Sequence, residues 1–405
     1  MKNSAIKVTV AVVVTGVLGY ILVLHSPQIR RNVALRDSIA YWAAGRLLVT
    51  HQNPYDHATV LRLEQAHGYS NQRPLVLRTP PWSLFMVVCL GFVGPFEAWV
   101  AWIAVLLACL IIGMRISMKL YGGKAVPPNL LTIVGYAFAA VPACLVSGQM
   151  GLVLMMGVVL FLWFEPQNPF LAGASLVLPF AKPHLLSLFW LVCILWIVMR
   201  KKRKVALGFL ATLTIATTIA LVLDPHVFRD YGQMLHTASI GNEFIPALSG
   251  VLRLIFFRHM FWVQFIPMAV GIVWAVKFFI QNASSWDWRQ HGPALLVVSV
   301  LTTPYEWLSD ETVLLPAILQ AAVFAFAARS NLKISAKIGV TVFALLDFLL
   351  LLILRSKVPF STGIYFWSSL VWFFWYFQAR KWYSRAGESH PEIASVTAMG
   401  QSGAP

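Results

Sequence analysis

Three sets of polar residues stand out in an otherwise apolar chain. Asp37 opens the run Asp37-Ser-Ile-Ala-Tyr41-Trp42-Ala-Ala-Gly-Arg46-Leu47-Leu48, and Lys182 sits between apolar stretches in Ala181-Lys182-Pro183. Glu306, Asp310 and Glu311 crowd into Pro304-Tyr305-Glu306-Trp307-Leu308-Ser309-Asp310-Glu311. Carboxylates so placed can accept hydrogen bonds from hydroxyl groups or ligate a divalent cation. They can equally be solvated loop charges, and Asp37 can be simply an acid favoured at a helix start by the dipole. A lysine within an apolar segment is costly. It therefore contacts an anion, pairs with a carboxylate or snorkels to the interface. His51, His57 and His67 show no ligand spacing, and the four cysteines lie in apolar runs without a Cys-x-x-Cys pair. No metal site is expected from them.

These residues must be positioned by membrane-embedded elements. Of 405 residues, 59% are hydrophobic and only 11% charged, against about 25% charged in soluble domains. A water-soluble globule has too little polar surface to cover that many apolar side chains. The net charge of +16 would suggest nucleic acid on a soluble protein. Here the basic residues flank apolar runs, as in Arg200-Lys201-Lys202-Arg203-Lys204, where they set orientation and meet anionic lipid headgroups. The composition excludes a soluble enzyme, a disordered protein and a nucleic-acid binder.

Hydropathy predicts an uncleaved first span at 8–24, entering from the cytoplasm. Further spans are expected near 81–95, 98–115, 130–147, 150–165, 169–199, 205–223, 260–280, 291–304, 310–328, 336–354 and 360–379. Pro179 and Pro183 make 169–199 either one tilted element or two half-helices. Counting it as one crossing puts the 200–204 run inside, as the positive-inside rule requires. The result is an all-α protein of about twelve transmembrane helices with both termini inside. Residues 1–382 form the membrane domain and 383–405 a disordered cytoplasmic tail. Arg115, Lys119 and Lys124 fall outside on this count, and Gln149 falls near the cytoplasmic face.

The outer face then carries the stretch 26–80, far longer than the usual connection of about four to six residues. Ile39, Trp42 and Ala43 share one side of a helix with Arg46 one turn on, which predicts an amphipathic helix lying along the interface. Asn53-Pro54-Tyr55-Asp56 reads as the turn that ends it.

The order of these elements resembles the polyprenol-phosphate-mannose-dependent mannosyltransferases of glycosyltransferase family 87, which have the GT-C fold. The family's Asp at the opening of the first outer loop is Asp37, and its Pro-Tyr-Asp turn is Pro54-Tyr55-Asp56. Its Tyr-Pro-Pro appears as Thr79-Pro80-Pro81, its Gly-Gln as Gly148-Gln149, and its intramembrane Lys-Pro as Lys182-Pro183. Thr303-Pro304 before Leu314-Leu315-Pro316 matches a late Ser-Pro segment. The resemblance covers about residues 1–320. In two places the chain departs from it. Thr50-His51-Gln52-Asn53 replaces a stretch where Gly is common. Ser309, Asp310 and Glu311 stand in a late loop where relatives tend to carry His.

The resemblance implies an inverting transfer of a hexose, with mannose favoured, from a polyprenyl-phosphate donor to an acceptor hydroxyl on the outer face of the plasma membrane. It implies Asp37 as general base. Lys182, Arg46 and Arg78 become candidates for the donor phosphate. Tyr41, Tyr55, Asp56, Tyr305, Glu306, Trp307 and Asp310 become candidates for sugar or acceptor contact, although the rings also suit an interfacial aromatic belt. No cofactor is expected beyond the lipid-linked donor, and a divalent cation is left open. The acceptor is left open among a glycolipid, a polysaccharide or other glycan, and a protein. The rivals are a secondary transporter, which needs matching broken helices in two halves, and a catalytically inactive scaffold.

Overall fold

The computed structural model describes residues 37–122, 126–237, 245–328, 334–358 and 362–389. The expected first span at 8–24 and the chain beyond Ser389 lie outside the described residues. No strand occurs among the described residues. Among the described residues, five helices are long and apolar enough to cross a membrane: Pro95–Tyr121, Arg203–Leu223, Phe261–Ser285, Asp310–Ala327 and Ala336–Arg355. Two further apolar stretches are broken. Pro128–Ala137 meets Ala140–Ser147 at 48°, and Pro169–Ala181 meets Pro183–Met199 at 117°. Broken and short helices thus replace several of the straight spans read from hydropathy. The last helix, Ser368–Ser389, also continues into the stretch expected to lack structure.

The chain forms two compact units, Met1–Val105 with Ala216–Ala238, and Leu106–Ile215 with Ser239–Pro405. In the first unit, the helix Ser38–Val49 is not the amphipathic surface helix expected. Ser38 through Gly45, Leu47 and Leu48 are all buried, leaving Arg46 as its exposed side chain. Its partner is residues 81–92, which form two 3₁₀ helices, Pro81–Met86 and Val88–Phe92, and not the first half of a span. Pro80 and Pro81 at one end and Gly91 and Gly94 near the other interrupt an α-helix there. The two elements meet backbone to backbone. A Cβ on Gly45 would lie 2.3 Å from the Val87 carbonyl oxygen, and one on Gly91 would lie 2.2 Å from that of Gly45. Trp42 Nε1 donates to the Val93 carbonyl at 2.9 Å and Arg46 to that of Gly91 at 3.2 Å. Gly45→Ala is therefore expected to destabilise the protein by about 2 kcal/mol or more, since main chain cannot yield as a side chain does. A lowered thermal midpoint in detergent, relative to wild type, checks it.

The second unit has two chemically distinct ends. One is basic. Lys119 lies 5.6 Å from the Trp163 ring centre, Lys202 bonds Glu165 at 3.0 Å, and Arg289 donates to the Leu162 carbonyl at 3.2 Å. Arg200 donates to the Ser284 carbonyl at 2.9 Å, and Arg380 lies over Phe278. Lys119 thus shares an end with the 200–204 run, which removes its misfit in the hydropathy topology, while Lys124 lies outside the described residues.

The same contacts correct the single crossing expected for 169–199. Glu165 precedes that segment and Lys202 follows it, yet they bond. A Cβ on Gly173 would lie 1.9 Å from the Val205 carbonyl oxygen, and one on Gly208 2.0 Å from that of Phe170. The segment enters and leaves at the basic end. It is a re-entrant hairpin, and its tip is Lys182.

One acid explains itself within this frame. Asp347, in the span Ala336–Arg355, accepts the Ala139 N–H at 2.9 Å. That donor is freed by the 48° break, and an unpaired backbone group at membrane depth is costly.

Candidate active site

The other end of the second unit is built from helix breaks. Gly148 ends the helix Ala140–Ser147 in the left-handed region at φ 74°, which glycine adopts without a Cβ penalty. Pro179 and Pro183 bracket Lys182, and the following proline holds Lys182 out of the helical region at φ −130°, ψ 71°. A 3₁₀ turn, Asp310–Leu314, leads into the helix Leu315–Ala327. These three breaks meet. Lys182 Nζ lies 2.7 Å from Asp310 Oδ1 and 3.4 Å from Gln149 Oε1. Gln149 therefore belongs with the Asp310 loop and not at the opposite, cytoplasmic face as expected. Counting a full span at 81–95 and a crossing at 169–199 had displaced it.

Lys182 is 8% exposed and Asp310 fully buried. The remaining Asp310 oxygen accepts the Trp307 N–H at 3.2 Å. Glu311 accepts hydrogen bonds from the Ser368 hydroxyl and from Trp372 Nε1, the latter at 2.6 Å. Glu306 is 2% exposed, and burial, reinforced by Glu311, drives its carboxyl well above the usual carboxylate range. With Glu306 held toward its neutral form, Asp310 and Glu311 are the acidic groups left beside the one lysine. The helices Gly151–Phe164, Ser187–Met199, Leu315–Ala327 and Ser368–Ser389 all begin at this end, and each directs the positive pole of its dipole there.

The structure thus unites Lys182, Tyr305, Glu306, Trp307, Asp310 and Glu311 from the acids and candidates noted in the sequence, and adds Gln149 and His184. Gln149 was expected only near the cytoplasmic face. Glu311 emerges as the link to the last helix. His184 was missed; its place in Lys182-Pro183-His184, two residues from the intramembrane lysine, was the available signal. Among the described residues, no group of three or more His, Cys, Asp or Glu is placed to hold a metal ion.

The first unit holds the other candidates. Asp37 stands at the N-cap of Ser38–Val49, half-buried, without making a side-chain cap hydrogen bond. Tyr41 is buried against Trp102, with ring centres 5.1 Å apart. Tyr55 is buried against Tyr231, and its hydroxyl donates to the Thr79 carbonyl at 2.8 Å. Asp56 caps the helix His57–Ala66 by accepting the Thr59 N–H at 2.8 Å, and hydrogen bonding with Thr59 holds its carboxyl below the usual range. Tyr55 and Asp56 thus shape the turn. Arg46 is exposed and Arg78 half-buried.

An acid overlooked in the sequence also lies in this unit. Glu64 is fully buried, with one oxygen on the Leu75 N–H at 3.1 Å and the other without a hydrogen-bond partner. Burial raises its carboxyl to about 7. Because the folded value lies above the unfolded one of about 4.3, its contribution to stability is fully present below about pH 4 and is lost as pH rises through 7. Glu64→Gln, a permanent mimic of the protonated form, is expected to flatten the fall of the thermal midpoint between pH 5 and 8.

The chain matches the model of glycosyltransferase family 87 over residues 79–328, more than half its length. It belongs to glycosyltransferase family 87. No curated protein and no solved structure matches the chain. The family match includes Gln149, Lys182, His184 and the whole 303–311 loop, whereas Asp37, Tyr41, Arg46, Tyr55, Asp56 and Arg78 precede it. With its apolar helices, this family 87 member is a membrane glycosyltransferase.

Proposed function

We propose that this family 87 enzyme transfers a hexose, with mannose favoured, from a polyprenyl-phosphate donor to an acceptor hydroxyl on the outer face of the plasma membrane. The observation that carries the reading is the family match, which includes the polar end of the second unit. The outward orientation is supported by the opposite, basic end of that unit, which the positive-inside rule assigns to the cytoplasm.

In the proposed inverting step, the acceptor oxygen attacks the anomeric carbon from the face opposite the phosphate. Its proton passes to the Asp37 carboxylate, the new glycosidic bond forms, and the bond to the phosphate oxygen breaks to release polyprenyl phosphate. The leaving group gains charge, which nearby cations stabilise. Arg46, Arg78 and Lys182 are the candidate cations, the charge of Lys182 being already met by Asp310. Glycolipid, polysaccharide and other glycan acceptors are all compatible with the reading.

The test is incubation of purified protein in lipid with radiolabelled polyprenyl-phosphate-mannose and a membrane glycolipid extract. Label in a new, larger glycolipid supports the reading. No transfer from that donor, or from a panel of polyprenyl-phosphate hexoses, overturns it.

A further inference from the structure

The tip of the re-entrant hairpin carries a polar atom that no part of this scheme uses. His184 Nε2 is buried and has no hydrogen-bond partner, and Glu306 Oε2 likewise has none, with the Ser369 hydroxyl beside that carboxyl. Both residues lie close enough to Asp310 to feel its charge. Unpaired buried polar atoms are costly and call for an explanation. The backbone holding them is well anchored. Thr303 Oγ1 donates to the His184 carbonyl at 3.0 Å, and the Tyr305 ring stands edge-on to the His184 ring with centres 5.7 Å apart. Trp307 Nε1 in turn donates to the Tyr305 hydroxyl at 2.8 Å. His184, Tyr305 and Trp307 are each partly exposed.

The chemistry of the surroundings selects the ligand. A phosphate would meet the Asp310 carboxylate, with Glu311 next to it, and a single lysine that is already paired. A neutral sugar meets no such repulsion. Its hydroxyls both donate and accept, so they match an acceptor-capable carboxyl and an imidazole nitrogen together, and its apolar face suits the adjacent rings.

We propose that His184 and Glu306, flanked by Tyr305 and Trp307, form a hexose-binding subsite in which separate sugar hydroxyls bond His184 Nε2 and Glu306 Oε2. The assignment rests on the transferase reading and deepens it: His184 becomes a residue that selects the sugar epimer. Lys182 and Asp310 are then the neutralised floor of a sugar site.

Binding of methyl α-mannoside and its C2 epimer, methyl α-glucoside, to the purified full chain would be followed by saturation-transfer NMR, with inorganic phosphate and undecaprenyl phosphate titrated in parallel. Wild type is expected to bind the two glycosides unequally. His184→Phe keeps a ring but no hydrogen bond, and should weaken the preferred glycoside about tenfold or more. His184→Gln restores a polar group and should stay within about threefold. Thermal midpoints are measured for both, so that a folding defect is recognised. Glycoside binding unchanged in His184→Phe and in Glu306→Gln overturns the proposal, as does no glycoside binding by wild type. Loss of phosphate binding alone overturns it in favour of an anion site. Glycoside binding lost on substitution, in a protein that transfers no sugar, upholds the subsite while removing the transferase reading.

Discussion

Asp37→Asn is expected to lower the rate of sugar transfer by about 10²–10⁴-fold, the usual worth of a general base, with little change in donor KM or thermal midpoint. The carboxyl does not act as the cap of the helix it opens. Asp37 stands at the start of Ser38–Val49, yet its side chain makes no cap hydrogen bond; its backbone carbonyl accepts the Ala40 N–H at 3.0 Å. A capping role would have made the loss one of stability, typically about 1 kcal/mol. The helix behind Asp37 is fixed by the Gly45–Gly91 approach and by the Trp42 and Arg46 hydrogen bonds. The substitution therefore removes basicity from a group whose position is set by the scaffold. Transfer within about threefold of wild type would exclude Asp37 as the base and move attention to the 303–311 loop.

Breaking the Lys182–Asp310 pair should have the largest effect on stability. Lys182→Met and Asp310→Leu each leave a buried charge without its partner, for which about 3–5 kcal/mol is typical. The pair is short, at 2.7 Å, and its side chains are 10% and 0% exposed, so solvent cannot take over either charge. The double substitution removes both charges and is expected to recover most of the lost stability, because replacing a buried pair by apolar residues is often neutral. Chemical denaturation of the four proteins in a double-mutant cycle gives the coupling. Additive losses would show that the two charges do not depend on each other. Transfer activity of the double variant asks a separate question: restored folding without restored activity means that the charges, and not only the packing, are used.

The sequence by itself determined the solvent in which this protein folds, the order of motifs that marks its family, and most of the polar residues that matter. Composition excludes a soluble fold, and a lysine or acid among apolar residues is conspicuous wherever it lies. Proline and glycine also announced where helices must break, as at Pro179, Pro183 and Gly148. What they could not announce is the direction in which the chain continues. Hydropathy scores a run that turns back exactly as high as one that crosses, so 169–199 was counted as a crossing and 81–92 as the core of a span. Those two errors moved Gln149 to the wrong face. Only contacts distant in sequence decide the matter: Glu165 with Lys202 across the base of the hairpin, and Lys182 with Asp310 at its tip, 128 residues apart. The helix at 38–49 was misjudged for a related reason. A side chain pattern shows which face is more apolar, but whether the other face is also covered depends on a second element, here the Val88–Phe92 turn that reaches it because both partners present glycine. Burial and pairing are properties of the neighbours that folding brings together, and these neighbours are decided by the tertiary structure.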